Sequence, residues 1–286
     1  MDIPIREIRD QIDGLEIVQP LPGGGQKVVL LASHPRFGRV VLKLVRPGAD
    51  PERAYREVYA VSRLGSRHVP EILQVGVLDV GGEKRLFLIE AFVEGRTLRD
   101  VLRERAHLTT EEVLELLDAL LCTATDMETR RLVHRDIKPE NIMYDTSGRI
   151  WLLDFGICRH LDLPSVTDSD RPFGPHTPGY AAPEQFRNVK REIDVRADLF
   201  SIGVVAYESI SGRNPFREGA RDPLEVLYRT ETVAPDPLKI EGDSQGQLSG
   251  FIGVLCDRRL SRRPRSAAIA LAWLRALRDT VVAKQA

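Results

Sequence analysis

A chain of 286 residues with 42% hydrophobic content exceeds what one small core usually holds, so two packed lobes or one large domain are expected. Its 41 basic and 42 acidic residues leave a formal net charge of −1, which argues against nucleic-acid or membrane binding through bulk charge. The three cysteines, Cys122, Cys158 and Cys256, are widely spaced and form no CxxC pair, so free thiols in a reducing cytoplasm are expected, with no zinc site.

The mixed-charge start, Met1 to Glu7, lacks the apolar stretch of a secretory signal, and no run approaches the ~18 apolar residues that span a bilayer. Residues 1–13 read as an extension in which Ile5, Ile8 and Ile12 would line one side of a short helix, packed on the first lobe or on a partner. Apolar or β-branched runs at 15–18, 28–32 and 39–45 predict strands, separated by Gly23-Gly24-Gly25 and His34-Pro35-Arg36-Phe37-Gly38 as turns. Residues 51–64 predict a helix with Pro51 in its first turn and Val58, Val61 and Leu64 on its apolar side. Two further strands are predicted at 72–78 and 86–90, around a turn at 79–84.

Beyond Gly95 the pattern turns helical, with a short helix at 97–105 and a long one at 110–130. Thr109 or Thr110 before Glu111-Glu112 supplies an N-cap with acidic first-turn residues, and Val113, Leu116, Leu117, Leu120, Leu121 and Ala124 form one stripe. A hairpin is predicted from 142–144 and 150–153 over Asp145-Thr146-Ser147-Gly148. Residues 157–180 are polar, Pro-rich and aperiodic, which predicts a mobile loop. Helices resume at 198–211 and close the chain at 267–282. Strands first and helices second make an α+β arrangement.

The chemistry concentrates in His134-Arg135-Asp136-Ile137-Lys138-Pro139-Glu140-Asn141. Phosphoryl transfer needs an acceptor for the nucleophile's proton, a cation near the moving group and oxygen ligands for Mg²⁺; an acid, a lysine and an amide in one short run meet those needs. Asp154-Phe155-Gly156 follows, a second carboxylate in a flexible turn. Lys43, inside the apolar run Val40-Val41-Leu42-Lys43-Leu44, is a charge that is costly there unless paired.

In this order and spacing these motifs resemble those of the eukaryotic-type (Hanks-type) Ser/Thr protein kinases, over residues 15–277, and the compact form looks most like bacterial members. The resemblance implies a bilobal protein-kinase fold. A small β-rich N-lobe with one main helix would occupy 14–92 and a larger, mostly helical C-lobe 93–286, one catalytic domain in all. It implies ATP and Mg²⁺ as cofactors, with Mn²⁺ a substitute, and protein substrates. It leaves open a homodimer.

Carried over residue by residue, Gly23, Gly24 and Gly25 would approach the phosphates and Val29 would cover adenine, while Pro22 and Lys27 depart from the family's glycines. Lys43 would hold the α/β-phosphates and pair with Glu57, or alternatively with Glu52. Glu90 falls at the gatekeeper position of the hinge between lobes, or Ile89 if the register shifts; Ala91 and Val93 would offer backbone groups to adenine, with Met143 beneath it. Asp136 would act as base and orienting group, Lys138 would neutralise the γ-phosphate, and Asn141 and Asp154 would bind the metal. His134 would pack under Phe155. Thr177 would hydrogen-bond Asp136 and Lys138; Ser165, Thr167 and Ser169 are candidate phosphosites, with Arg135 as the docking cation. Glu184 with Arg263, and Asp198 beneath the catalytic loop, would be structural. Two other readings are a nucleotide-binding pseudokinase, suggested by Pro22 and Lys27, and a small-molecule kinase, which the peptide-docking run from Thr177 to Glu184 disfavours.

Overall fold

The computed structural model describes residues 5–22, 27–45, 62, 64–155, 159–160, 177–187 and 192–282. The fold is bilobal, with a β-rich unit formed by Met1–Gly65 and Val69–Glu94 and a mostly helical unit formed by Ser66–His68 and Gly95–Ala286.

The first unit opens with a short helix, α1 (Ile5–Arg9), followed by β1 (Glu16–Leu21), β2 (Lys27–His34), β3 (Gly38–Val45), β4 (Ile72–Val80) and β5 (Glu83–Ala91). They form one antiparallel sheet in the order β1-β2-β3-β5-β4. Strand alternation decides what each face holds. The pairs Leu30↔Leu42, Leu42↔Ile89 and Leu44↔Phe87 put their side chains on one face, where Leu78, Val80, Ile8, Ile12 and Leu15 complete a buried cluster. The isoleucine stripe therefore packs on its own unit: Ile8 and Ile12 are buried and Ile5 is exposed. The Gln11 amide secures the segment by exchanging two hydrogen bonds with the Asp79 backbone, at 2.6 and 2.8 Å, as a strand partner would. Gly76 leaves room for its cross-strand neighbour, since a Cβ there would lie 2.6 Å from the Phe87 ring.

β1 runs further than 15–18 because Pro20, which argues against a strand in sequence, is tolerated on an edge. The expected helix at 51–64 falls almost wholly outside the described residues.

The second unit begins with β6 (Gly95–Thr97), α2 (Leu98–Arg105) and α3 (Thr110–Thr129). Thr109 caps α3 in a reciprocal box with Glu112, and the expected stripe from Val113 to Ala124 is buried. After β7 (Leu132–Val133) come a 3-10 turn at Pro139–Asn141 and the hairpin β8 (Ile142–Asp145) and β9 (Ile150–Leu152). The helices α4 (Pro183–Phe186), α5 (Val195–Ser211), α6 (Pro223–Thr232), α7 (Gln247–Leu255) and α8 (Ala267–Val282) follow. α5 is buried almost all round and starts earlier than expected, because the Asp194 side chain caps it at the Arg196 N–H. Gly203 lets α5 and α7 approach closely: a Cβ would sit 2.6 Å from Leu255 Cβ and 2.9 Å from Cys256 Sγ.

Residues 157–180 were expected to lack regular structure. Among the described residues that reading is corrected at one place, where β10 (Arg159–His160) pairs antiparallel with β7, while 178–180 form a turn, as a loop would. α4, α6 and α7 were also unexpected, although Asp222 followed by Pro223 is a legible helix start. Among the described residues no helix is long and apolar enough to cross a membrane. The described cysteines, Cys122 and Cys256, are free thiols, and burial raises both pKa values, so neither is primed to react.

Candidate active site

The loop at 134–141 hangs between β7 and β8 and is fastened from below by Asp198. This fully buried carboxylate accepts the His134 and Arg135 N–H groups, each at 2.8 Å. Burial pushes its carboxyl up to about 7, opposed by those two donors and the Arg135 charge, which favour the ionised form. The bonds stabilise a costly backbone: Arg135 sits at φ 71°, the left-handed region, and Gln185 Nε2 holds its carbonyl at 2.9 Å. His134 is buried edge-on against Phe155, with ring centroids 4.8 Å apart. Its Nε2 faces the Leu153 carbonyl at 3.1 Å and its Nδ1 the Asp136 N–H at 3.3 Å, which assigns the proton to Nε2.

Above this floor four expected residues converge. Lys138 Nζ lies 2.7 Å from Asp136 Oδ2 and donates to Thr177 Oγ1 at 3.0 Å. The Thr177 hydroxyl donates to Asp136 Oδ1 at 2.7 Å. Asn141 Nδ2 donates to the Asp136 carbonyl at 2.8 Å and to its Oδ2 at 3.1 Å. A hydroxyl oxygen thus rests against an ammonium while its proton points at a carboxylate.

With Asn141 Nδ2 so engaged, its amide orientation is fixed and Oδ1 is turned away from Asp136. The Leu153 N–H donates to the Asn141 carbonyl at 2.7 Å, which ties in the next residue, Asp154, at φ 60°. One amide oxygen and one carboxylate fit a hard divalent cation that keeps water and phosphate oxygens as its other ligands. Among the described residues no group of three or more His, Cys, Asp or Glu side chains could hold a metal alone.

The run after Thr177 is anchored to α5 and to the turn that follows it. Ser201 Oγ donates to the Tyr180 carbonyl at 2.9 Å and Asn214 Nδ2 to the Gly179 carbonyl at 3.1 Å. Arg99, missed in the sequence, bridges Glu140 and Glu208, each at 2.8 Å, and hydrogen-bonds the Tyr180 hydroxyl. Only its place beside buried Leu98 at the start of α2 hinted at this. Burial raises the Tyr180 phenol well above its ordinary value.

In the first unit Lys43 Nζ lies 2.7 Å from Glu90 Oε2. The expected partners Glu57 and Glu52 lie outside the described residues, as do Gly23, Gly24, Gly25, Ser165, Thr167 and Ser169. Val29 sits directly across from Lys43. Ala91 commits its N–H to the Glu71 carbonyl at 2.9 Å. Beyond it, Val93 is half-buried, and Arg39 lies over the Phe92 ring at 4.3 Å and pairs with Glu94 at 2.9 Å. In the second unit Met143 pairs in register with Thr97 and Trp151.

Comparison with known proteins places this geometry. Residues 22–271 match the protein kinase domain. The chain is 28% identical over 229 residues to a probable serine/threonine-protein kinase PknB of Lactococcus lactis, covering 77% of this chain and 35% of that protein. It is 35% identical over 226 residues to the serine/threonine-protein kinase PknL of Mycobacterium tuberculosis, covering 76% and 54%. It therefore spans about a third to a half of the curated relatives it matches. A match over most of the chain, on the residues that build the Asp198-supported loop, means that the chain belongs to the protein kinase domain family, with homology to the bacterial Hanks-type Ser/Thr kinases.

Proposed function

We propose that this chain transfers the γ-phosphoryl group of ATP to Ser and Thr hydroxyls of proteins. The observation that carries the reading is the Thr177 hydroxyl held between Asp136 and Lys138. A substrate hydroxyl in the same relation would have its oxygen near the ammonium and its proton directed at the carboxylate. Asp136 then orients the nucleophile and takes its proton, and Lys138 offsets charge on the phosphoryl oxygens.

Asn141 and Asp154 would hold Mg²⁺, or Mn²⁺ in its place; the bound ion would neutralise phosphate charge. On the nucleotide side, Lys43 would meet the phosphates with Glu90, at the gatekeeper position, beside it; Gly23, Gly24 and Gly25 would wrap the phosphates, and Val29, Ala91, Val93 and Met143 would surround the base, with Glu57 as a further partner for Lys43. Ser165, Thr167 or Ser169 would accept a phosphate in an autophosphorylated form, with Arg135 as its counter-charge. The enzyme would work in the cytoplasm, as a monomer or homodimer.

The test is radiolabel transfer from ATP, to the enzyme itself and to generic protein substrates, beside nucleotide binding. Asp136→Ala should lower transfer by about a thousandfold or more while ATP affinity stays within about threefold. Wild-type protein that binds ATP yet transfers nothing, with Mg²⁺ or Mn²⁺, would instead be a nucleotide-sensing module.

A further inference from the structure

The sheet of the first unit buries a pair of opposite charges on one face. In the β3–β5 ladder Lys43 stands opposite Leu88, and Glu90, two residues on, is its diagonal neighbour on the same face. The ammonium and carboxylate meet at 2.7 Å, with Lys43 5% and Glu90 7% exposed. β5 is an interior strand, paired with β3 on one side and β4 on the other, so the register that brings Glu90 to Lys43 is fixed. Packing does not ask for a carboxylate there, because Leu86 and Leu88, the preceding β5 residues on the same face, are buried and apolar. A buried ion pair gains little stability over apolar side chains of similar size, since both charges must be desolvated.

We propose that Glu90 is a positioning residue that binds the Lys43 ammonium and makes nucleotide phosphate compete for it, lowering affinity for phosphate-bearing nucleotides and leaving affinity for the nucleoside unchanged. The inference rests on the reading above in which Lys43 meets the phosphates of ATP. A bare cation attracts a polyphosphate; a cation already in contact with a carboxylate is nearly neutralised, and the carboxylate repels the incoming anion. Adenosine carries no phosphate and is blind to this competition. That distinguishes action through Lys43 from direct contact between Glu90 and the base, which would act on ATP and adenosine alike.

The experiment is calorimetric titration of wild type, Glu90→Gln and Glu90→Met with ATP, ADP and adenosine in Mg²⁺ buffer, with thermal unfolding of each protein. Both variants should bind ATP and ADP about three- to tenfold more tightly than wild type, with adenosine affinity within about twofold. Unchanged or weaker ATP binding, or an equal gain for adenosine, overturns the proposal and leaves the kinase reading intact. Loss of folding in both variants also overturns it, because the pair would then be a stability element. Wild type with no measurable ATP affinity overturns the kinase reading itself.

Discussion

Asp198 shows how a residue without chemistry of its own sets the geometry of residues that have it. Its two carboxylate oxygens hold two consecutive N–H groups, the second on a residue in the left-handed region. An asparagine offers one acceptor, so in Asp198→Asn one buried N–H loses its partner, which costs about 1–3 kcal/mol. The relaxed loop would also carry Asp136 away from Lys138 and Thr177. We expect a lower urea midpoint together with a large drop in transfer rate; a variant with wild-type values of both would mean that Arg135 keeps its conformation without the cap. The loop's chemistry was legible because its acid, lysine and amide are neighbours in sequence. The Lys43–Glu90 pair was not: both residues were noticed, but their meeting depends on a strand register that local pattern does not specify.

Among elements, the β8–β9 hairpin is held by one carboxylate. Asp145 accepts from the Ser147 N–H at 2.9 Å, the Ser147 hydroxyl at 2.6 Å, the Arg149 N–H at 3.0 Å and Trp151 Nε1 at 2.8 Å. These donors, the Ser147 hydroxyl foremost, lower its pKa from 3.8 to about 2. A carboxyl depressed in the folded state stabilises it above its unfolded pKa, and that contribution is lost as pH falls through the folded value. Wild type should therefore melt above Asp145→Ala at pH 6, and the gap should shrink as pH falls from about 4 towards 2. A gap independent of pH would assign the effect to hairpin packing instead. The hairpin could be read from its turn residues, and α3 from its stripe and cap, because both signals are local. α7 could not: the residue before it is Gly246, left-handed and without a side chain to cap, and two of its first N–H groups are taken by Asp243, outside the usual capping position. β7 and β10, two residues each, are defined only by their pairing with each other.

Across the second unit, the stability that matters lies in few of its many ion pairs. Arg263 donates to both Glu184 oxygens, at 2.6 and 3.0 Å, and also to the Asp257 and Arg196 carbonyls, at 2.7 and 2.8 Å. Its guanidinium lies over the Phe200 ring at 4.9 Å, so α4, α5 and the turn after α7 meet at one buried side chain. Arg263→Met strands the Glu184 carboxylate in the interior and should cost about 3–5 kcal/mol, lowering the melting temperature by roughly 10 °C. Adding Glu184→Leu removes the stranded charge, so the double variant should be more stable than Arg263→Met alone. By contrast, removing the Arg105–Glu112 pair from the arginine side, as Arg105→Gln, which leaves Glu112 in the α3 capping box, should cost about 1 kcal/mol or less, since the two side chains are 45% and 34% exposed. Thermal and urea unfolding of the four proteins decides the matter. If the double variant is less stable than Arg263→Met, the Glu184 carboxylate has adequate partners without Arg263, and the loss in the single variant belongs to the Asp257 and Arg196 carbonyls and the Phe200 contact.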